Sequence, residues 1–171
     1  MTAHAPNAHT ARPEREIRSI LVVGAGLAGF ETVRALRDHS FAGHITLLGA
    51  EGIAPYDRPP LSKELLARTT PAWLTEDQHF DLAAAVDDLR LGEPAVALTV
   101  SGASAEVTTS AGTYRADAVV LACGARARRP AGWESALTLH TAADADALRA
   151  FVPGHRTRGR RRRPGMSRPR S

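Results

Sequence analysis

Residues 20–29 read Ile-Leu-Val-Val-Gly-Ala-Gly-Leu-Ala-Gly, an apolar run followed by three glycines, Gly24, Gly26 and Gly29. This order predicts a buried strand, a tight turn and the start of a helix, as in a dinucleotide-binding turn. Gly24 would let the chain reverse, Gly26 would let a pyrophosphate approach the backbone, and Gly29 would let the helix pack closely on the strand. The N–H groups and the positive end of the helix dipole would then face the phosphates.

The residues after the glycines support this interpretation. Apolar side chains recur at Phe30, Val33 and Leu36 among charged ones, which predicts an amphipathic helix that Gly43 ends. Residues 45–48, Ile-Thr-Leu-Leu, predict a second strand. A strand, a helix and a return strand predict a right-handed parallel crossover. We therefore favour dinucleotide binding over a packing turn that holds no ligand.

Composition narrows the possible functions. The chain has 22 Lys and Arg, 18 Asp and Glu and a net charge of +4, but the segment from Arg156 to Ser171 contains eight arginines and no acid. The remainder has a net charge of −4, so the high pI does not predict a basic domain surface. The single cysteine excludes an internal disulfide framework, and the seven histidines show no metal-ligand spacing. No apolar run is long enough to cross a bilayer, so we expect a cytoplasmic protein without a membrane partner.

Two stretches after the second strand carry candidate ligand-binding residues. An acid that holds a ribose hydroxyl normally falls about 20 residues after the glycines, and because Gly49 ends the strand, Glu51 is the candidate. The alternative for Glu51 is a solvated loop acid. Residues 54–63 contain three prolines in six residues, which predicts a rigid extended path that holds Arg58 and Lys63 near a pyrophosphate. The alternative here is a surface loop with solvated charges.

Pro-Tyr-Asp-Arg-Pro-Pro-Leu-Ser-Lys at 55–63, soon after Val-Val-Gly-Ala-Gly-Leu-Ala-Gly at 22–29, resembles the ferredoxin reductase-like branch of the FAD-dependent pyridine nucleotide oxidoreductases. That branch includes putidaredoxin and rubredoxin reductases and the reductase components of ring-hydroxylating dioxygenases. The resemblance extends over residues 17–152. It implies an α/β fold, with an FAD/NAD(P)-binding Rossmann-like parallel sheet, helices and a small antiparallel β-meander, here as a truncated FAD domain.

The resemblance also implies a role for each candidate site residue. The implied FAD contacts are Gly24, Gly26, Leu27, Ala28 and Gly29 on the pyrophosphate, Glu51 on the adenosine ribose, Arg58 and Lys63 along the FAD with Lys63 near the flavin ring, Val96 with its backbone on the adenine, and Ala122 and Gly124 in a loop beside the phosphates and flavin. Lys63 is the implied catalytic residue. For Val96, a strand valine that faces the core is an equally good interpretation.

The implied activity is electron transfer. Relatives pass a hydride from NAD(P)H to the flavin, which then gives electrons one at a time to an iron–sulfur partner such as a ferredoxin or rubredoxin. No cysteine pair lies near residues 55–65, which argues against the disulfide-reducing relatives. A self-contained NAD-dependent dehydrogenase is disfavoured, because the chain has no Tyr-x-x-x-Lys pair and no second domain for a substrate.

Local patterns predict the remaining elements. In chain order these are a short helix at 62–68, a capping box at 75–78 ahead of another helix, a strand at 89–91, an antiparallel meander at 95–115, a fully buried parallel strand at 117–122 and a helix at 142–151. Cys123 follows the buried strand, where the family usually has threonine. We expect it to be a small buried residue and not a reactive thiol.

The two ends of the chain differ from the rest. Residues 1–16 predict a disordered leader, and residues 153–171 a disordered Arg-rich tail where the family continues into a second glycine turn for NAD(P)H. One interpretation is a basic tail that binds nucleic acid, on a non-catalytic nucleotide-binding module. The other, which we favour, is a shift of the reading frame near residue 156. In that case the NAD(P)H domain and the later part of the FAD domain are missing.

Overall fold

The computed structural model describes residues 16–102 and 104–151. The strands of these residues are β1 (Ser19–Val23), β2 (His44–Gly49), β3 (Tyr56–Asp57), β4 (Ala72–Trp73), β5 (Asp88–Leu91), β6 (Ala95–Ser101), β7 (Ser104–Thr109), β8 (Thr113–Ala116) and β9 (Ala118–Leu121). The helices are α1 (Leu27–Asp38), α2 (Pro59–Lys63), α3 (Leu74–Asp77), α4 (Leu82–Ala85) and α5 (Ala142–Phe151). The Arg-rich tail and the leader up to residue 15 lie outside the described residues.

A four-stranded parallel sheet in the order β5-β2-β1-β9 organises the fold. Ile20 of β1 lies opposite Ile45 of β2 on one side and Ala118 of β9 on the other. The predicted parallel crossover from β1 through α1 to β2 is therefore confirmed. The strands β6, β7 and β8 form the predicted antiparallel meander, and β3 pairs with β4 as a separate short ribbon. The predicted α/β class with a small meander is confirmed.

The strand β1 is buried on both faces, as its unbroken apolar run predicts. Ile20 and Val22 pack against Phe30 and Val33 of α1, together with residues of α3 and α4. On the opposite face Leu21 and Val23 pack against residues of the meander. The parallel sheet is therefore the middle layer, with helices on one side and the meander on the other.

The connection from α1 to β2 is held by one arginine. The Arg37 guanidinium donates to the carbonyl oxygens of Ala85 at 2.7 Å and Gly43 at 2.9 Å, and to the Asp87 carboxylate at 2.9 Å. The same carboxylate accepts the N–H of Ile45 at 2.7 Å, and this bond above all keeps the pKa of Asp87 below its usual value. The last turn of α1 and the start of β2 are thus tied to the end of α4 and to the residue before β5.

The prediction that Gly43 ends α1 is wrong, because the helix already ends at Asp38. Ser40 then adopts a left-handed φ of 61°, which reverses the chain well before Gly43. Gly43 is required for a different reason. A Cβ at this position would lie 2.5 Å from the carbonyl oxygen of Arg18, so the chain can pass there only without a side chain.

The proline-rich stretch does not form a fully extended path. Tyr56 and Asp57 are extended in β3, but α2 begins at Pro59, three residues before the helix predicted at 62–68, and ends at Lys63. Prolines fit the first helical positions because the N–H that they lack would have no intrahelical partner there. The prolines therefore start a helix where an extended segment was expected.

The predicted capping box at 75–78 is also wrong. Thr75 lies inside α3 and caps nothing. The side chain that caps a helix here is Asp81, whose carboxylate accepts the N–H of Ala84 at 3.1 Å. The capping residue therefore lies immediately before α4, and two short helices replace the one expected. The strand predicted at 89–91 and the helix at 142–151 are confirmed as β5 and α5.

Three predictions of burial are wrong for a common reason. The strand β9 pairs only with β1 among the described strands, so it lies at an edge of the sheet and Leu121 is 62% exposed. Cys123, directly after it, is exposed too. Val96 cannot be a core-facing valine, because β6 is the outer strand of the meander and this side chain is 70% exposed.

Within the described range, no helix is both long and apolar enough to cross a membrane.

Candidate nucleotide site

The glycine turn between β1 and α1 has the geometry that its sequence predicts. Gly24 has a left-handed φ of +115°, and a Cβ there would lie 2.2 Å from the carbonyl oxygen of Ala122. A Cβ on Gly29 would lie 1.8 Å from the carbonyl oxygen of Gly24 and 3.5 Å from Leu47, so this glycine allows α1 to approach the sheet. Gly26 differs from both, because a Cβ there would meet nothing within 4 Å. Its lack of a side chain leaves space on the outside of the turn.

A cavity of about 210 Å³ opens beside this turn. It lies at the carboxyl ends of three neighbouring parallel strands, β1, β2 and β9, which is where ligands bind in open α/β sheets. Its wall consists of residues 24–28, 49–51, 53–56, 58 and 122–124.

The amino end of α1 gives this cavity an anion-binding character. The N-cap residue is Gly26, which supplies no side-chain cap for the first N–H groups, and the first turn carries no acid. Those N–H groups have no partner within the helix, and a helix of 12 residues has a positive dipole end. Phosphate oxygens are the groups that such an end binds best.

Glu51 also lines the cavity, within a network of polar side chains. Its Oε2 accepts the hydroxyl proton of Tyr56 at 2.7 Å, and its Oε1 lies 3.3 Å from Nη2 of Arg58. The Arg58 guanidinium also contacts the ring of His140, just before α5. The predicted ribose-binding acid is thus held by two neighbours and is not a freely solvated loop residue.

Tyr56 is the most buried member of this network, with 5% of its surface exposed. Its ring packs edge-on against Trp73, with centroids 6.5 Å apart. Burial raises the pKa of the Tyr56 hydroxyl to about 12, and its hydrogen bond to Glu51 adds to this effect, because both favour the neutral phenol. The hydroxyl therefore keeps its proton and remains a donor to Glu51 at any ordinary pH.

The structure brings most of the predicted site residues together. Eight of them line the cavity, namely Gly24, Gly26, Leu27, Ala28, Glu51, Arg58, Ala122 and Gly124. Gly29 lies behind the turn, where it packs on Gly24. Lys63 is exposed at the end of α2, and neither it nor Val96 lines the cavity. The ligand contacts assigned to all of these residues stay predictions.

Sequence reasoning missed two features of the site. Tyr56 stood in the motif without a role, although it lines the cavity and binds Glu51. The sequence also gave no sign that α5 would meet the site, since the N–H of Ala142 donates to the Tyr56 hydroxyl across 86 residues. Over the described residues, no group of three or more His, Cys, Asp or Glu side chains could hold a metal ion.

The fold and the glycine turn define a dinucleotide-binding α/β protein of the Rossmann type. The chain belongs to the pyridine nucleotide-disulphide oxidoreductase family, whose pattern matches residues 18–155. The sequence-based family assignment is therefore confirmed. Members of this family are oxidoreductases that use FAD and NAD(P)H.

Several known proteins are similar to this chain. The ferredoxin–NAD(+) reductase component of the biphenyl dioxygenase system from Paraburkholderia xenovorans is 40% identical over 143 residues, which are 81% of this chain and 35% of that protein. The ferredoxin reductase component of a Cupriavidus chlorobenzene dioxygenase is 38% identical over 64% of this chain and 26% of that protein. The crystal structure of Fdr9 superposes with a TM-score of 0.68 at 37% identity, over 78% of this chain and 33% of that one.

A complex of putidaredoxin reductase with putidaredoxin also contains a similar chain, with a TM-score of 0.64 at 29% identity over 78% of this chain and 34% of that one. This chain spans about a third or less of the length of the curated relatives compared here.

Proposed function

We propose that this chain forms an FAD-binding part of an NAD(P)H-dependent ferredoxin or rubredoxin reductase, which passes electrons to an iron–sulfur protein. The observation that carries the proposal is the open position at Gly26. There the backbone faces the cavity without a side chain, directly at the amino end of α1. A bound pyrophosphate must come close to the backbone of the turn, and its oxygens need the unpaired N–H groups at the amino end of α1 as donors.

The other walls of the cavity suit the rest of a dinucleotide. Glu51 offers carboxylate oxygens to ribose hydroxyls, and Arg58 offers a planar cation to phosphate or carbonyl oxygens. When bound, a flavin supplies two-electron acceptance from a nicotinamide and one-electron transfer to a metal centre. In our proposal the residues of this chain bind and orient the FAD. Lys63 and Val96 lie outside the cavity wall, so their assigned contacts need a longer ligand that extends beyond it.

The partner and the wider reaction are inferred from the relatives. Two of them are named as reductase components of dioxygenase systems, and a third is a reductase held in a complex with putidaredoxin. We infer a ferredoxin- or rubredoxin-type acceptor for this protein, NAD(P)H as the electron donor, and a cytoplasmic location.

The test is titration of the purified chain with FAD, followed by flavin fluorescence. We expect the wild-type chain to bind FAD, and Gly26→Ala to bind at least about tenfold more weakly, since its new methyl group would stand in the path of the pyrophosphate. Gly52→Ala is the matched control, because Gly52 does not line the cavity. A Cβ at this position would meet only the Cα of Gly92, at 4.0 Å. The proposal is refuted if the wild-type chain does not bind FAD, or if the two variants bind it equally well.

Lys63 has a test of its own. If it lies near the flavin ring, Lys63→Ala should weaken FAD binding or shift the potential of the bound flavin, since a nearby cation stabilises the reduced, anionic form. Lys63 makes no ion pair within residues 16–102 and 104–151, so its removal breaks no salt bridge there. Unchanged flavin affinity, spectrum and potential would remove this role.

A further inference from the structure

We propose that Tyr56 is a positioning residue of the nucleotide site: its hydroxyl holds the Glu51 carboxylate in place for a ribose and joins it to the first residue of α5. The inference rests on the proposed function, because a ribose reaches Glu51 only if a nucleotide occupies the cavity. In this role Tyr56 does not contact the ligand itself, and it acts by holding Glu51.

The hydroxyl of Tyr56 acts both as a donor and as an acceptor within the protein. It donates to Oε2 of Glu51 at 2.7 Å and accepts the N–H of Ala142 at 2.9 Å. Acceptance from an amide makes a hydroxyl a stronger donor, so the two bonds reinforce one another. Glu51 receives this bond in a partly buried setting, where a hydrogen bond to a charged group contributes more than it does in water.

Packing fixes the position of that hydroxyl. Tyr56 is buried, lies opposite Trp73 in the β3–β4 pair, and packs edge-on against its indole ring. A tyrosine side chain has only two rotatable bonds that place its ring. Burial of Tyr56 and its contact with Trp73 therefore fix the position of the hydroxyl oxygen. Glu51, by contrast, lies on the loop between β2 and β3, and without Tyr56 its rotamer would be restrained by the longer contact to Arg58, at 3.3 Å.

The held carboxylate keeps room for a ligand. Oε2 receives one hydrogen bond from Tyr56 and Oε1 one contact from Arg58, whereas each carboxylate oxygen can accept two. Two acceptor positions therefore remain for ribose hydroxyls. The same geometry connects the cavity to α5, because the N–H of Ala142 is one of the amino-terminal groups that the helix itself cannot satisfy.

The first experiment needs no ligand. The chain contains two tyrosines, and the hydroxyl of the other one, Tyr114, donates to Glu93 at 2.6 Å, away from the cavity. In a spectroscopic titration of tyrosinate, Glu51→Ala should lower the pKa of Tyr56 from about 12 part of the way towards its ordinary value of 10.0, because the hydrogen bond and the charge of Glu51 are lost while burial remains the largest cause. The pKa of Tyr114 should not change. If the pKa of Tyr56 is the same in Glu51→Ala as in the wild-type chain, the contact does not exist and the inference is overturned.

The second experiment measures ribose recognition. ADP and 2′-deoxy-ADP are titrated into the wild-type chain, Tyr56→Phe, Glu51→Ala and the double variant, each shown to be folded by circular dichroism. We expect the wild-type chain to prefer ADP, and Tyr56→Phe to lose about tenfold in ADP affinity together with this preference. In the Glu51→Ala background, where position 51 can accept no hydrogen bond from a side chain, Tyr56→Phe should cause no further loss. Tyr114→Phe is the control and should bind as the wild type does.

The outcomes separate the two proposals. If Tyr56→Phe keeps the wild-type preference for ADP, or if its full loss persists in the Glu51→Ala background, Tyr56 does not act through Glu51 and the inference is overturned while FAD binding stands. If the wild-type chain binds neither ADP nor FAD, the proposed function fails and the ribose role fails with it. The tyrosinate titration then still decides whether Tyr56 holds Glu51.

Discussion

The packing of α1 on the sheet can be tested with one methyl group at Gly29. A Cβ at this position would lie 1.8 Å from the carbonyl oxygen and 3.0 Å from the carbonyl carbon of Gly24. Both atoms belong to the backbone of the turn, so no side-chain rotation can relieve the overlap. Gly29→Ala therefore forces α1 to move away from β1 or distorts the turn.

The size of the effect follows from two opposing terms. Overpacking in a well-packed core costs about 1–3 kcal/mol, and a rigid backbone neighbour puts this site at the upper end. Alanine is favoured over glycine in a helix by about 1 kcal/mol, which offsets part of that cost. We expect a net loss of about 2 kcal/mol in the free energy of unfolding, or about 4–8 °C in melting temperature.

The assay is thermal and urea unfolding followed by circular dichroism, with Gly26→Ala as the comparison. Gly26 is the N-cap residue, with φ of −83°, and its substitution meets no neighbouring atom within 4 Å. Its cost should be about 1 kcal/mol or less, from the poorer N-cap alone. If Gly29→Ala unfolds at the wild-type temperature, or if both variants lose equal stability, α1 does not approach the turn as closely as the structure shows.

Three further predictions concern stability. Phe30→Ala should cost about 3–5 kcal/mol in urea unfolding, because Phe30 is fully buried and packs edge-on against Phe80 at 5.4 Å; a cost near 1 kcal/mol would contradict this packing. Between about pH 10 and 12 the unfolded state loses the Tyr56 proton first, so stability should fall by about 2–3 kcal/mol across this window and the fall should be smaller in Tyr56→Phe; equal slopes in the two proteins would refute it. The pKa of Asp87 is lowered in the folded state, chiefly by the N–H of Ile45. The Asp87 carboxylate therefore stabilises the folded state above its ordinary pKa of 3.8, and this stabilisation is lost as the pH falls below that value. Asp87→Asn should therefore show a weaker loss of melting temperature on acidification than the wild-type chain, and parallel curves would count against it.

The fold follows from the sequence where local rules and the global fold agree. The run from Ile20 to Gly29 specifies a strand, a turn and a helix, because Gly24 and Gly29 each stand where a side chain would overlap the backbone of a neighbouring residue. The alternating residues of the meander and the apolar run of β9 were also recognised as strands. The family assignment rested on the two motifs at 22–29 and 55–63, and the match over residues 18–155 confirms it.

The sequence-based predictions are wrong where the same residues are compatible with two different local structures. Prolines at 59 and 60 fit an extended segment and a first helical turn equally well, and only the tertiary context selects the helix. Burial of Leu121 and Val96 depended on which strands lie beside β9 and β6, and an apolar side chain in a strand does not say whether its strand is central or at an edge.

Local sequence patterns are enough to specify the class of this protein: a Rossmann-type turn, its α/β crossover and the family to which it belongs. Those features are encoded by residues close together in the chain, where backbone sterics and hydrophobic periodicity act directly. How the site is held together depends instead on contacts between distant parts of the chain. The bond from Tyr56 to Glu51 spans five positions, but the link from Tyr56 to Ala142 and the contact of Arg58 with His140 join β3 and the residue after it to residues more than 80 positions away. Such contacts form because packing brings the elements together, and no local pattern specifies them.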